Sequence, residues 1–393
     1  MGLILNDLKN ACELEHVCDY VNNRTTSSMN YISTENMLPN KGGISESTII
    51  PPGTTTEYKI GDILISNIRP YFQKIWCADR CGGCSADVLC IRAKENTDSK
   101  YLYYLLSQQA FFDYVMSGAK GCKMPRGDKK QIMQWPVNIP AIDVQKKVVA
   151  ILSYLDNKIR LNRRINDNLE EQAKALFKSW FVDFEPFKGG KFVDSELGLI
   201  PKGWSTGTIY SYIDVIYGAP YKSALFNDKK QGLPLIRIRD LKTYTPQYYT
   251  KEVLPNTEYV ECGDIIAGMD AEFIPHIWRG EKGVLNQRLC KFVPKYDYVS
   301  KYYIYSLVYP KLAFVQSYKV GTTVSHLGKA DIDRFKVIVP PEDIIMQYSK
   351  IVNSYFAEIV KVSNENQILS SLRDTLLPKL MSGELSVEEV SLD

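Results

Sequence analysis

Histidine is scarce. His16, His276 and His326 are the only three in 393 residues. A histidine-built metal cage or hydrolytic triad therefore has little to draw on. Long hydrophobic runs are missing too, and nothing approaches the ~18 apolar residues of a membrane helix. The start, Met1-Gly2-Leu3-Ile4-Leu5-Asn6-Asp7, has no basic lead and no cleavage pattern, so no signal peptide is expected. Asn6 stands where N-myristoylation needs Ser or Thr. Gly-x-Gly-x-x-Gly is absent. The loop from Gly321 to Ala330 has the wrong spacing for a phosphate loop and ends in Ala330 instead of Ser or Thr. No Asp/Asn-Pro-Pro-Tyr/Phe tetrapeptide occurs, and Val339-Pro340-Pro341-Glu342 lacks both its ends, which argues against a resident amino-methyltransferase.

Charge of one sign is also lacking, since 48 basic and 45 acidic residues leave a net +3. The mean hides a pattern. Residues 186–340 carry +6 (21 basic, 15 acidic) and residues 341–393 carry −5 (4 basic, 9 acidic). A basic segment permits nucleic-acid binding without requiring it. The nine cysteines are an odd number in a chain too large to need disulfide staples, so free thiols in a reducing cytoplasm are expected. Cys77, Cys81, Cys84 and Cys90 are close enough in sequence to hold zinc. Their crowding, and the Arg279, Gly283, Asn286 and Cys290 found in the corresponding later region, favour a thiol-rich turn and no metal.

What the chain does contain is itself, twice. Gly61-Asp62-Ile63 matches Gly263-Asp264-Ile265, Ile75-Trp76 matches Ile277-Trp278, and Leu89-Cys90 matches Leu289-Cys290. Ser99-Lys100-Tyr101 matches Ser300-Lys301-Tyr302, and Gly121, Ile132 and Pro140 match Gly321, Ile332 and Pro340. A collinear set at an offset near 200 is too long a period for a solenoid and indicates a duplicated domain with its connector. Each copy opens with a mixed segment of short β-rich runs and amphipathic stretches, such as 102–115 and 302–314.

Each copy then continues as a heptad seam. Val148, Leu152, Leu155, Ile159, Asn162, Asn166, Leu169, Ala173, Leu176 and Trp180 alternate steps of four and three. Tyr348, Val352, Tyr355, Ile359, Val362, Asn366, Leu369, Arg373, Leu376 and Leu380 repeat the pattern. Asp143 and Asp343 suit the helix starts after Pro140 and Pro340-Pro341, and Pro378 should kink or end the second helix. Asn162, Asn166 and Asn366 are polar seam positions that either set register across the coil or lie solvated.

The expected architecture is α+β: two similar heads separated by a two-helix antiparallel coiled coil, with a pseudo-twofold internal repeat. The expected boundaries are 1–143 for the first head, 144–185 for the first spacer helix and 186–343 for the second head. The second spacer helix takes 344–385 and a tail takes 386–393. Phe177, Trp180, Phe181, Phe184 and Phe187 either form an exposed docking end or pack under the second head.

The polar content of the heads suits DNA, because Arg and Lys fork onto guanine edges or neutralise phosphate and Asn pairs with adenine. In the first head the candidates are Ser66, Asn67, Arg69 and Tyr71 after a strand, with Lys120, Lys123, Arg126, Lys129 and Lys130 in a later loop. In the second they are Tyr221, Lys222, Arg237, Arg239, the turn Asn286-Gln287-Arg288, and Thr322, Thr323, Ser325 and His326. Any one of these is more often a solvated surface group, and the loops as units are the stronger candidates.

The run Ser195-Glu196-Leu197-Gly198-Leu199-Ile200-Pro201-Lys202-Gly203-Trp204 resembles the entry of a target-recognition domain in the specificity (S) subunit of Type I restriction–modification enzymes. Leu376-Leu377-Pro378-Lys379-Leu380-Met381-Ser382-Gly383-Glu384-Leu385 resembles the end of that family's distal spacer helix. Gly263-Asp264-Ile265 and its twin resemble the mid-domain strand. The likeness covers nearly the whole chain, although the first head lacks the Gly-x-Ile-Pro-x-Gly-Trp entry.

The resemblance implies a non-catalytic subunit with two target-recognition domains. Each head would read half of a bipartite DNA site, and the coil would set the gap. Methyltransferase (M) subunits would dock, joined by motor-nuclease (R) subunits, and S-adenosylmethionine, ATP and Mg2+ would be bound by those partners. Unlike loops predict an asymmetric target, with half-site centres ~10–11 bp apart, near one helical turn. Two other classes compete: a self-contained restriction–methylation enzyme, disfavoured by the missing motifs, and a stand-alone DNA-binding regulator on the same scaffold.

Overall fold

The computed structural model describes residues 11–26, 30–47, 53–121, 123–319 and 326–387. They form two compact units. One holds the described residues up to Asn157 together with those from Ser371 onward, and the other holds Lys158–Ser370.

In the first unit the antiparallel strands β1 (Cys18–Tyr20), β2 (Ile63–Ser66), β3 (Ile75–Cys77) and β4 (Val88–Ala93) lie in the order β1-β4-β2-β3. β2 and β4 are apolar at consecutive positions because both faces of the sheet are covered. Ile63, Ile65, Leu89 and Ile91 face a core with Leu102, Phe111 and Ile132, which come from helices Ser99–Leu106, Gln109–Ser117 and Lys129–Met133. Leu64, Val88 and Cys90 face Tyr58 and Cys84 of a smaller sheet. Each such aliphatic side chain contributes about 1.5–3 kcal/mol when fully buried, so a polar residue on either face would unseat one of the two cores.

In the second unit β5 (Ile213–Tyr217), β6 (Ile265–Gly268), β7 (Pro275–Ile277) and β8 (Leu289–Pro294) repeat that order as β5-β8-β6-β7. The smaller sheet now has four strands, and one helix, Lys301–Lys319 with Pro310 inside it, stands where the first unit has two. The repeated Gly-Asp-Ile is a turn and an anchor. Gly61 and Gly263 sit at φ +89° and +93°, where a side chain is strained. Asp62 accepts the Lys59 backbone N–H at 2.7 Å and holds Arg92 by two bonds of 2.7 Å. Asp264 accepts the Glu261 N–H at 3.0 Å and the Lys301 ammonium at 2.6 Å.

The ladder corrects one pairing of the repeats by a single residue. Leu89 lies opposite Ile65, whereas Cys290 lies opposite Ala267, the counterpart of Ile65. Leu89 therefore corresponds to Cys290, and Cys90 to Lys291. Both members of the second pair reach the anchor aspartate: the Cys90 thiol donates to Asp62 at 3.6 Å, and Lys291 lies 3.7 Å from Asp264.

Two long helices, α1 (Ile142–Phe181) and α2 (Glu342–Ser382), carry the heptad seams. Within the first unit Val148 and Leu152 share a core with Leu377, Leu380 and Met381, and Arg373 meets Asp156 at 2.9 Å. Within the second, Asn162 Nδ2 donates to Asn366 Oδ1 at 3.0 Å and Asn166 Nδ2 to Ser363 Oγ at 3.0 Å. In both units rising numbers on α1 meet falling numbers on α2, so the pairing is antiparallel, and the polar seam residues bond across it.

Pro378 does not end α2. The helix continues to Ser382 and stops before Gly383, at φ +76°. The proline falls in the last turn on the exposed side, where one missing N–H is tolerated, while Leu377, Leu380 and Met381 hold the turn to the core. The aromatic end of α1 is not a free docking face either. Phe181 stacks edge-on with Tyr348 and Tyr303, Trp180 packs on Tyr348, and Phe187 on Trp204, all in the core of the second unit.

Candidate nucleic-acid interface

In the first unit the turn after β2 and the later basic loop are joined by backbone. Arg69 N–H donates to Pro125 O at 2.8 Å, Gly127 N–H to Asn67 O at 3.3 Å, and Ile68 bridges Arg126. The turn after Gly82–Cys84 joins them, because Asn67 N–H donates to Asp87 O at 2.9 Å. Arg69, at φ +51°, turns the chain out of the sheet. Tyr71, Lys120, Lys123, Arg126, Lys129 and Lys130 are exposed on this surface. Lys120 pairs with Asp128 at 3.1 Å, Arg126 pairs with Asp87 at 3.1 Å, and Lys129 lies 6.0 Å from the Tyr20 ring. Ser66 corrects its sequence reading. It is 3% exposed and its hydroxyl donates to Ile68 O at 3.0 Å, so it braces the turn and does not face a duplex. Asn67 is buried beside it.

The second unit builds the same junction. Met269 N–H donates to Arg288 O at 2.9 Å, Leu327 N–H to Met269 O at 2.7 Å, and Asp270 bridges His326. Gln287 and Arg288 are exposed, while Asn286 is buried and caps the turn by accepting the Arg288 N–H at 3.3 Å. Asp270 carries both bases of the junction, with His326 Nδ1 at 2.6 Å and Arg288 Nε at 3.3 Å. Thr322, Thr323 and Ser325 lie outside the described residues.

The remaining candidates engage the smaller sheet of this unit. Tyr221, 5% exposed, gives its hydroxyl to Thr257 at 3.0 Å and is a core residue, not a contact. Exposed Lys222 donates its backbone N–H to Glu252 at 2.9 Å. Arg237 lies over the Tyr248 and Phe226 rings at 5.3 and 6.0 Å, and Arg239 is exposed. Asp87 and Asp270, which organise the basic side chains, were missed by sequence reasoning. No residue-type rule singles out a carboxylate as the partner of a DNA-facing base.

Asp240, directly after those two arginines in the chain, is 1% exposed and accepts the Arg237 N–H at 2.9 Å. Burial pushes its carboxyl up to about 6, against that hydrogen bond. A folded-state pKa above the unfolded value contributes stability below the unfolded pKa, and this is lost as pH rises through about 6. Asp240→Asn removes the titration. The thermal midpoint of the variant minus that of the parent should therefore be more positive at pH 7.5 than at pH 4.5. A difference that stays constant across that range refutes the assignment.

The cysteine-rich turn is a set of thiols. Cys84 and Cys90 are buried, and Cys81 is exposed. Contact with Cys84, then burial, pushes the Cys90 thiol far up, and burial pushes Cys77 up to about 11. Among the described residues no group of three or more His, Cys, Asp or Glu side chains is arranged to hold a metal ion.

A duplicated scaffold with unlike basic loops has a counterpart among known proteins. The family model described as Type I restriction modification DNA specificity domain matches residues 10–171 and again 201–370. The chain belongs to this family. Its part in such a system is recognition of the DNA target, with catalysis in partner subunits. It is 28% identical over 325 residues to the Type I restriction enzyme MjaIX specificity subunit of Methanocaldococcus jannaschii, covering 76% of this chain and 71% of that one. The HindI specificity subunit of Haemophilus influenzae is 24% identical over 90% of this chain and 94% of its own length. A crystal structure of a Type-I restriction–modification system S subunit from M. genitalium aligns over 97% of this chain and 98% of that one, at 15% identity and a TM-score of 0.45.

Proposed function

We propose that each head reads one half of a split, asymmetric double-stranded DNA target and that the paired helices set the gap between the halves. Methyltransferase subunits assemble on this chain and motor-nuclease subunits join through the complex. S-adenosylmethionine, ATP and Mg2+ are bound by those partners, and the complex works in the cytoplasm. The observation that carries the reading is one backbone junction built twice with different side chains, Ile68, Asp87 and Arg126 in one unit and Asp270, Arg288 and His326 in the other. A shared scaffold makes both heads fit a duplex, and unlike side chains make them prefer unlike bases. Among the described residues no helix is long and apolar enough to cross a membrane.

The test is adenine-methylation sequencing of a methylation-free bacterium that carries the cognate methyltransferase with and without this chain. A split, non-palindromic motif that appears only with the chain is the expected result. A palindromic motif, or none from soluble co-purifying protein, overturns the reading.

A further inference from the structure

The two junctions superpose in their hydrogen bonds. Asn67 N–H to Asp87 O corresponds to Met269 N–H to Arg288 O, and Gly127 N–H to Asn67 O corresponds to Leu327 N–H to Met269 O. The bridge Ile68–Arg126 corresponds to Asp270–His326. Three positions are thereby equated across the repeat: 68 with 270, 87 with 288, and 126 with 326. Their side chains differ. The carboxylate sits at the second position in the first head and at the first position in the second head, and in each case it pairs with the basic side chains at the remaining equated positions.

These pairs do little for stability. Arg126 and Asp87 are 55% and 38% exposed, and Arg288 and His326 are 56% and 48% exposed around an Asp270 that is 24% exposed. Pairs whose basic partner is half exposed contribute little to stability. An anion on a DNA-facing surface also opposes phosphate attraction, so affinity does not account for it. What the carboxylate supplies is direction. Asp87 lies 3.1 Å from Arg126 Nη2, and this ion pair restricts where the half-exposed guanidinium sits while the rest of it stays accessible. Asp270 lies 3.3 Å from Arg288 Nε, so the Nη groups are not engaged by it, and it is hydrogen-bonded to His326 Nδ1 at 2.6 Å, which leaves Nε2 unengaged by it.

We infer that Asp87 and Asp270 are specificity-setting positioning residues, one per head, which aim Arg126 in the first head and Arg288 with His326 in the second at base edges. The inference deepens the DNA-reading role proposed above and rests on it. A base held by a carboxylate discriminates between base pairs, whereas the same base released becomes a general phosphate contact.

The experiment uses the complete complex with its methyltransferase subunits. Asp87→Asn and Asp270→Asn are compared with the parent by methylome motif, by binding to duplexes substituted one base pair at a time, and by thermal midpoint. Asp87→Asn should narrow the discrimination at one or more positions of a single half-site by about tenfold. Asp270→Asn should do so in the other half-site only. Thermal midpoints should stay unchanged, and Asp87→Glu should recover part of the discrimination. Unchanged motifs overturn the inference, as does a uniform rise in affinity for all sequences, which would make the carboxylate merely repulsive. Discrimination lost only together with a lowered midpoint also overturns it. A parent complex with no split motif overturns the DNA-reading role itself, whereas a parent with one and unaltered variants overturns this inference alone.

Discussion

Removing one heptad from each long helix should shorten the gap in the recognised sequence by about 3 bp while leaving both half-site sequences intact. Seven residues at ~1.5 Å per residue amount to about 10 Å, and duplex DNA rises ~3.4 Å per base pair. The segments to remove are 157–163 of α1 and 366–372 of α2. The Asp156–Arg373 ion pair and the Asn166–Ser363 hydrogen bond flank them and survive. The Asn162–Asn366 pair is lost from both sides at once, so neither asparagine is left buried without its partner. A heptad falls only ~20° short of two full turns, so the buried seam keeps facing its partner. Methylome sequencing reads the result directly. The original spacing should lose methylation and the shortened spacing should gain it. A folded variant that still methylates the original gap would show that the helices do not set it.

That seam was legible in the sequence because burial at a helix interface repeats with a short period, and the period survives substitution. Val148, Leu152 and Ile159 are buried where the steps of four and three place them. The mid-domain strands were legible for a similar reason, since Gly61 and Gly263 occupy a backbone conformation that few residues tolerate and so mark the same turn twice. Other features depend on information a residue string does not hold. The offset between repeats drifts between β3 and β4, and identity alone favoured Cys90 with Cys290. Only the ladder locates the slip and puts Lys291 in the place of Cys90. The five aromatics from Phe177 to Phe187 suit an exposed end and a buried one equally by composition, and Tyr303 and Trp204 of the second head with Tyr348 of α2 decide for burial. The candidate site was legible as loops and less so as residues. Ser66 and Tyr221 have suitable chemistry but are buried, and the organising carboxylates change position between the heads.

Arg279→Ala should destabilise the second unit by about 3 kcal/mol at pH 8 and by clearly less at pH 5. Arg279 follows β7, with its side chain 17% exposed, and forms an ion pair with Glu170 of α1, itself 27% exposed. The Tyr244 ring lies 5.7 Å from the guanidinium, Gln367 donates to Arg279 O at 3.0 Å, and the Tyr302 hydroxyl donates to Glu170 O at 2.8 Å. Burial already pushes the Glu170 carboxyl above its usual range, and Arg279 is what opposes the rise. For Arg279, burial alone disfavours the charge, but Glu170 outweighs it and the pKa rises.

Without the arginine, the carboxylate stays desolvated and its pKa climbs further. A raised folded-state pKa gives stability at low pH that is lost as pH rises through it, so the defect must grow from pH 5 to pH 8. Glu170→Gln in the same background should remove that pH dependence and recover part of the loss, because an amide is far less costly to bury than a lone charge. Urea unfolding of the four chains at both pH values gives the coupling energy. An Arg279→Ala chain as stable as the parent at pH 8, or a loss equal at both pH values, would mean that Glu170 is solvated and the pair is only a surface contact.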